Sequence, residues 1–114
     1  MVEKRRNKRT EMNSPLIIKR VDGFERKELS VDVVDLSKNG IGFSCKDILS
    51  EGQVYEADMQ IWTKEMIHVV FKIARIEIKE SEFVYGATFV GLPKEDAFRI
   101  EVYQTVNDSD FEEN

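Results

Sequence analysis

The sequence predicts an all-β protein with a C-terminal helix, arranged as an antiparallel barrel or sandwich. Apolar and polar residues alternate in five or six segments, which is the period of strands with one buried face. Short turn-bearing connections join these segments, and no helices lie between them to support the crossovers of a parallel sheet. We favour a small barrel, because closing the sheet removes its exposed edges.

Two predicted strands come first along the chain. The run PLIIKRV at 15–21 is the first, and the Asp22-Gly23 pair after it is typical of a hairpin turn. The run ELSVDVVDLS at 28–37 is the second, and its alternation predicts one buried face. The residues on that face are Leu29, Val31 and Val33.

The segment DLSKNG, residues 35–40, links the second predicted strand to a third, IGFSC at 41–45. Its Asn39-Gly40 pair predicts a type I′ hairpin turn, in which both residues adopt positive φ. That turn does not require Asp35 or Ser37, which are two residues apart and should project from the same face of the strand end. The Asp35 carboxylate could accept the N1 and N2 hydrogens of a guanine, and the Ser37 hydroxyl could bond a phosphate oxygen.

Three further strands and a helix are predicted downstream. In the middle strand the alternation changes phase before Ile76, which predicts a bulge or a sharp bend. The run LPKEDAFRIEVYQTV at 92–106 has Pro93 at a plausible first helical position, but its apolar residues form no single stripe. The three strands are QVYEADMQIW at 53–62, MIHVVFKIARIEI at 66–78 and EFVYGATFV at 82–90.

Charge is distributed unevenly along the chain. The net charge is −5, and residues 1–10 carry five Lys/Arg against one Glu, or +4, which leaves −9 for the rest. The last eight residues hold four carboxylates and little to bury. We therefore expect a basic arm at 1–10, one folded unit at 11–106 and an acidic disordered tail at 107–114. The acidic body argues against broad nucleic-acid binding, so no DNA or RNA partner is expected.

Few residues suggest catalysis or metal binding. His68 lies inside an alternating strand, and nothing places a nucleophile beside it with an orienting acid, so we expect no enzyme. Cys45 is the one cysteine and His68 the one histidine, too few for a zinc site of the usual Cys/His type. We expect Cys45 to pack within a strand, and we expect no metal or cofactor.

No run approaches the roughly 20 apolar residues of a membrane span. The N-terminus MVEKRRNKRT also lacks the apolar core of a signal peptide. These features predict a cytoplasmic protein without a membrane span.

The basic arm and the DLSKNG segment together resemble a known family. RRNKR at 5–9 fits the pattern RxxxR, and about 25 residues later DLSKNG fits [D/N]xSxxG. With both motifs in this order, the sequence resembles the PilZ domain, a bacterial receptor module for cyclic di-GMP. The resemblance covers residues 3–106. It implies a six-stranded antiparallel β-barrel with a C-terminal helix and a ligand on the outer surface.

The resemblance also implies which residues bind the ligand. Arg5 and Arg9 would bind phosphate and the Hoogsteen edge or face of guanine. Asp35 and Ser37 would complete the site from the strand end, and Gly40 would keep the loop clear of the ligand.

Two more basic residues, Arg6 and Lys4, match positions that are often basic in the family. The residue before RxxxR, here Lys4, can influence whether one ligand molecule or a pair is bound, and the sequence leaves this number open. An arm of net +4 supplies charge to neutralise two phosphates. Ordering of the arm on ligand binding would create a new surface for a downstream effector protein, as yet unidentified. Motility, adhesion or exopolysaccharide production are the usual outputs of such modules.

Two other hypotheses compete with a receptor function. A ligand-independent PilZ-like interaction module would keep the barrel without the binding, although the complete motifs disfavour it. A nucleic-acid-binding barrel would need aromatic residues interleaved with basic ones along one face. Trp62, Tyr55 and Phe71 fall instead in separate alternating runs.

Overall fold

A computed structural model describes residues 10–23, 25–62 and 65–112 of the chain. Within these ranges the protein has six strands followed by one helix. The strands are β1 (Thr10–Arg20), β2 (Glu28–Leu36), β3 (Gly40–Cys45), β4 (Val54–Trp62), β5 (Glu65–Lys79) and β6 (Glu82–Phe89), and the helix is α1 (Lys94–Glu112).

The six strands close into one barrel in the order β1-β2-β3-β6-β5-β4, with every neighbouring pair antiparallel. The predicted six-stranded antiparallel barrel with a C-terminal helix is therefore confirmed. Closure between β1 and β4 uses a short ladder in which Lys19 pairs with Glu56 and Arg20 pairs with Tyr55.

Aromatic side chains pack against one another within a largely aliphatic barrel core. The rings of Phe43 and Phe71 lie 5.8 Å apart edge to face, and those of Phe43 and Tyr85 lie 5.5 Å apart. The Tyr85 hydroxyl accepts a hydrogen bond from the Leu49 amide and donates one to the Asp47 carbonyl, both at 2.8 Å. Tyr85 thus ties the loop after β3 to the core while its buried polar group stays satisfied.

A one-residue bulge in β2 determines which way Asp35 faces. Val33 pairs with Phe43 and Asp35 pairs with Gly42, so Val34 is the extra residue. Continued alternation from the buried Val33 would have turned Asp35 into the core. The bulge reverses the phase, because Leu36 is buried and Asp35 lies on the outer face opposite Gly42.

A second bulge, in β5, has the same effect on Arg75. Ile73 pairs with Ala87 and Arg75 pairs with Gly86, which leaves Ala74 as the extra residue. Ile73 is buried, whereas Arg75 is exposed on the outer face. The bulge or bend predicted before Ile76 is confirmed.

Helix α1 begins one residue after Pro93, whose carbonyl accepts the first helical hydrogen bond from Ala97 at 3.0 Å. Ile100 is fully buried against the barrel. Three apolar residues four positions apart, Phe98, Val102 and Val106, are exposed. The helix therefore has apolar side chains on two opposite faces, which explains why the sequence showed no single stripe.

The C-terminal part of α1 extends beyond the folded unit expected from the sequence. That unit was expected to end at residue 106 and to be followed by a disordered acidic tail at 107–114. Helix α1 continues to Glu112, so the backbone of 107–112 is helical. Glu95 and Asp96 lie in the first turn of α1, where their negative charges interact favourably with the positive end of the helix dipole.

Candidate functional site

The turn that joins β2 to β3 has a different geometry from the predicted one. The Ser37 amide donates to the Gly40 carbonyl at 2.9 Å, and the Gly40 amide donates back to the Ser37 carbonyl at 3.3 Å. Neither Asn39 nor Gly40 has positive φ, so the predicted type I′ turn is wrong. The Ser37 hydroxyl oxygen accepts from the amides of Asn39 at 3.2 Å and Gly40 at 3.3 Å, which satisfies the loop amides in this other conformation.

Gly40 is needed for the pairing of β3 with β6. A Cβ at this position would collide with the backbone carbonyl oxygen of Ala87 in β6. Next to it, the Asn39 carbonyl accepts a hydrogen bond from the Phe89 amide at 2.9 Å. The barrel itself therefore explains this glycine, and its role in clearing space for a ligand stays a prediction.

Asp35 leans over the neighbouring strand. It is half-buried, and both of its carboxylate oxygens lie 2.9 Å from the point where a Cβ on Gly42 would be. Gly42 therefore leaves the space that the carboxylate occupies. Asp35, Ser37 and Gly40 lie at one end of the β2–β3 hairpin.

The other predicted ligand-binding residues, Lys4, Arg5, Arg6 and Arg9, lie outside the described residues. The described chain begins at Thr10, which pairs with Leu36, and the next residue of β1, Glu11, pairs with Asp35. The basic arm therefore joins the barrel directly beside the DLSKNG segment.

Arg75 is an outward-facing residue near this site that the sequence did not single out. Its Cζ, Cγ and Nε atoms lie 2.9, 3.0 and 3.1 Å from the point where a Cβ on Gly86 would be. Gly86 in turn pairs with Gly42. The phase change before Ile76 was a signal of the bulge, but only the register of β6 shows that Arg75 shares a row with Asp35.

Helix α1 contacts the DLSKNG segment at two points. The Gln104 side-chain amide donates to the Leu36 carbonyl at 3.2 Å, and the Lys38 ammonium lies 3.3 Å from a Glu101 carboxylate oxygen. The first contact is buried and the second is exposed. The helix is thus attached to two of the three motif positions that are not expected to touch a ligand.

His68 has the surroundings of a surface ion pair. Its Nδ1 lies 2.8 Å from Asp58 and its Nε2 lies 3.2 Å from Glu56, on the exposed outside of β4 and β5. The hydrogen bond to Asp58 raises the pKa of His68, and the charge of Glu56 adds to this effect. His68 is flanked by these two carboxylates of β4 and links β5 to that strand.

Cys45, Tyr55 and Phe71 are buried in the barrel. Cys45 lies buried in β3 as predicted, and burial raises the pKa of its thiol. Tyr55 and Phe71 stack in the core at 6.2 Å, away from any surface that could bind nucleic acid. The side chain of Trp62 lies outside the described residues.

Two kinds of feature are absent from the described residues. Within the described part of the chain, no three His, Cys, Asp or Glu side chains are grouped so as to hold a metal ion. No helix in the described ranges is long and apolar enough to cross a membrane.

The topology and the motif turn define a small β-barrel domain with a basic arm attached beside a carboxylate and a hydroxyl. The chain belongs to the PilZ domain family, which matches residues 3–104. A search of curated proteins found no match to this sequence.

Solved structures share the fold at low sequence identity. YcgR of Escherichia coli in complex with c-di-GMP has a TM-score of 0.75 at 17% identity, over 98% of this chain and 49% of that one. The Bacillus subtilis inhibitor of motility MotI/DgrA has a TM-score of 0.73 at 16% identity, over 96% and 53%. The chain therefore spans about half the length of these two proteins. The PilZ domain of YcgR alone, with c-di-GMP, has a TM-score of 0.64 at 15% identity, over 97% of each chain.

Proposed function

We propose that the protein is a receptor for cyclic di-GMP that signals its bound state to a partner protein. Membership of the PilZ family and the c-di-GMP complexes of YcgR and of its PilZ domain alone support this class of ligand. The observation that argues most strongly for it is the ladder from Thr10 to Leu36 and from Glu11 to Asp35. This ladder attaches the basic arm beside the motif turn, which supports a site formed by the two together.

Charge supports the same ligand. Cyclic di-GMP has two phosphates, and the arm of net +4 can neutralise them where the rest of the chain, at −9, cannot. We assign phosphate and guanine contacts to Arg5 and Arg9, with Arg6 and Lys4 as additional cations. Asp35 accepts the N1 and N2 hydrogens of a guanine.

We propose that the surface around the site signals the ligand-bound state to a partner protein. Folding of the arm over the ligand creates a new surface, and α1 borders it through its contacts with Leu36 and Lys38. An effector protein, as yet unidentified, would recognise this bound state. The alternative, a ligand-independent interaction module, is favoured by one observation, the exposed apolar face of α1 at Phe98 and Val102.

Calorimetric titration with cyclic di-GMP tests the proposal. We expect the wild-type chain to bind at about micromolar affinity or tighter, which is about −8 kcal/mol or better. Arg5→Ala and Asp35→Ala each remove one charge-assisted contact and should weaken binding by about 1.5–3 kcal/mol.

Two variants serve as matched controls. Asp32→Ala removes an exposed carboxylate from the outer face of the same strand, and Arg26→Ala removes an exposed guanidinium from the loop at the opposite end of β2. Both should bind like wild type. If the wild-type chain releases no heat at high ligand concentration and remains folded, the receptor is refuted and the interaction module is favoured.

A further inference from the structure

We propose that the free edge of strand β5 pairs with the same edge of a second copy of this chain, in an antiparallel dimer with Ile76 on its two-fold axis. We call residues 74–79 the β5 edge. The proposal goes beyond the receptor function, because none of these residues is among those assigned to cyclic di-GMP. It identifies a surface for self-association on the barrel.

Strand β5 has a neighbour on both sides along only part of its length. Its ladder with β4 ends where Lys72 pairs with Val54. The amide and carbonyl of Ile73 then bond to the loop before β4, at 2.9 Å each. Beyond this point, within the described ranges, β5 pairs with β6 alone, and all six residues of the β5 edge are exposed. An exposed, unpaired edge can accept a strand from another chain.

The ladder with β6 fixes the backbone direction of the β5 edge. In an antiparallel pair, residues alternate between exchanging hydrogen bonds with the neighbouring strand and pointing away from it. The Phe89 amide donates to Asn39 on the β3 side of β6, so the residues at odd positions of β6 face β3 and those at even positions face β5. The even positions pair with Arg75, Glu77 and Lys79 on the β5 edge. The amides and carbonyls of Ile76 and Ile78 therefore point away from β6, where a further strand would lie.

The apolar side chains of the β5 edge are incompletely covered. Ile76 pairs with Tyr85 and Ile78 pairs with Phe83, so the isoleucines lie on the inner face of the sheet with these rings. Both lie beyond the end of the ladder with β4, however, and they are 39% and 72% exposed. A second strand alongside would remove part of this apolar surface from water.

The outer face of the β5 edge carries charges of alternating sign, in the order Arg75, Glu77 and Lys79. Charges, lysine above all, commonly protect an edge from pairing. Here both signs are present, so an antiparallel copy can place opposite charges face to face. Within one chain, Arg75 and Glu77 make only an exposed ion pair of 3.6 Å, at 61% and 48% exposure. Such a pair is weak, and both side chains can re-pair across a dimer axis.

Two of the registers that align the faces of the two strands are disfavoured. With Glu77 on the axis, Glu77 would oppose itself and Arg75 would oppose Lys79 of the second copy, which places like charges together. With Ile78 on the axis, the paired segment would run into Glu80, which lies in the β5–β6 turn with a positive φ of 49°. Fewer residues could then pair.

The register with Ile76 on the axis satisfies both the charges and the backbone. Arg75 opposes Glu77 of the second copy twice, once on each side of the axis. The two Ile76 side chains meet, and their outward-pointing backbone groups can exchange two hydrogen bonds. The paired segment, residues 74–78, is short, so we expect a weak dimer whose fraction rises with protein concentration.

Sedimentation of the full chain without ligand, over an about hundredfold range of concentration, tests the proposal. We expect a monomer at the low end and a dimer at the high end. Arg75→Glu leaves Glu at both paired positions and Glu77→Arg leaves Arg at both, so each variant alone should dimerise about tenfold more weakly or worse. A one-to-one mixture of the two variants should form a heterodimer, because every charge pair across the axis is then opposite in sign.

Two control variants carry the same changes in net charge away from the β5 edge. Arg26→Glu and Glu25→Arg alter exposed residues of the β1–β2 loop, and both should dimerise like wild type. A further variant, Ile76→Pro, removes an amide that does not bond to β6 and should abolish the dimer. Circular dichroism checks that each variant remains folded.

Each remaining outcome would overturn the proposal. A wild-type chain that stays monomeric throughout the range has no such dimer. A dimer that persists in both charge variants, or in folded Ile76→Pro, forms through another surface. If each charge variant is monomeric and their mixture is too, the register with Ile76 on the axis is wrong. Because no ligand is present, the result does not depend on whether the protein binds cyclic di-GMP.

Discussion

The carboxylate of Asp35 occupies the space that a side chain at Gly42 would need, with both oxygens 2.9 Å from the missing Cβ. The position of this motif carboxylate therefore depends on a glycine in the next strand. Gly42 lies outside the [D/N]xSxxG pattern, yet it determines how closely the acid lies against the sheet. The relationship makes Gly42 a residue whose substitution should affect binding without direct contact to the ligand.

We expect Gly42→Ala to weaken cyclic di-GMP binding about tenfold or more, because the added methyl group forces the Asp35 carboxylate to rotate away. The short Asp side chain has few other rotamers that would avoid this clash. The loss of stability should stay within about 1–2 kcal/mol, since the clash is with a side chain at the surface. Calorimetry and urea unfolding measure the two effects.

The matched control for that variant is Gly23→Ala. Gly23 lies in the exposed β1–β2 loop, where a Cβ would meet only the end of the flexible Arg20 side chain at 3.3 Å. This control should bind like wild type. Unchanged affinity of Gly42→Ala would show that ligand binding does not depend on the position of the Asp35 carboxylate over Gly42.

Gly40→Ala should behave differently, because its added methyl group meets the backbone of Ala87. A backbone carbonyl within a paired strand cannot move aside without breaking the ladder between β3 and β6. We expect a loss of about 2–4 kcal/mol in the free energy of unfolding, measured by urea denaturation. A variant as stable as wild type would mean that the β3–β6 pairing tolerates a side chain here, and the requirement for glycine would then have to come from the ligand.

The sequence predicted the strands well because half-buried strands carry their own period. Leu29, Val31 and Val33 are buried as the alternation indicated. The bulge in β5 was visible as a phase change, but the one in β2 was not, because Val33 and Val34 are both apolar and mask the shift. Local pattern alone thus located the bulge in β5 and missed the one in β2.

The site was less predictable than the fold, since it depends on contacts between distant residues. The Asn39-Gly40 pair indicated a type I′ turn, but the Ser37 hydroxyl accepts the loop amides and stabilises another conformation. Positive φ occurs instead at Glu80 and Ser81, at 49° and 72°, in the β5–β6 turn, where no Asn-Gly or Asp-Gly pair marked it. Arg75 needed the register of β6 to be recognised.

The environment of His68 leads to an expectation about pH. Its hydrogen bond to Asp58, with the charge of Glu56, raises the folded-state pKa of His68 above the unfolded value of about 6.5. The stabilising contribution is therefore fully present below the unfolded pKa and is lost as the pH rises through the folded pKa. Because the imidazole is 55% exposed, screening should hold the effect below about 1 kcal/mol.

Urea unfolding of wild type and His68→Gln at pH 5 and pH 8 measures this contribution. We expect wild type to be more stable than the variant at pH 5 and the difference to shrink at pH 8. Asp58→Asn should remove most of the pH dependence, since Asp58 makes the shorter contact, at 2.8 Å. A stability difference that grows from pH 5 to pH 8 would contradict the assigned direction.

The two apolar faces of α1 can be separated by a pair of truncations. Ile100 is fully buried against the barrel, whereas Val102 is 37% exposed on the opposite side of the same helix. We expect Ile100→Ala to lower the free energy of unfolding by about 2–4 kcal/mol, because it leaves a cavity where the helix meets the core. Val102→Ala should change it by less than about 0.5 kcal/mol, and urea denaturation compares the two. Equal losses would mean that α1 docks through both faces, and the exposed face could then no longer be offered as a free surface for an effector protein.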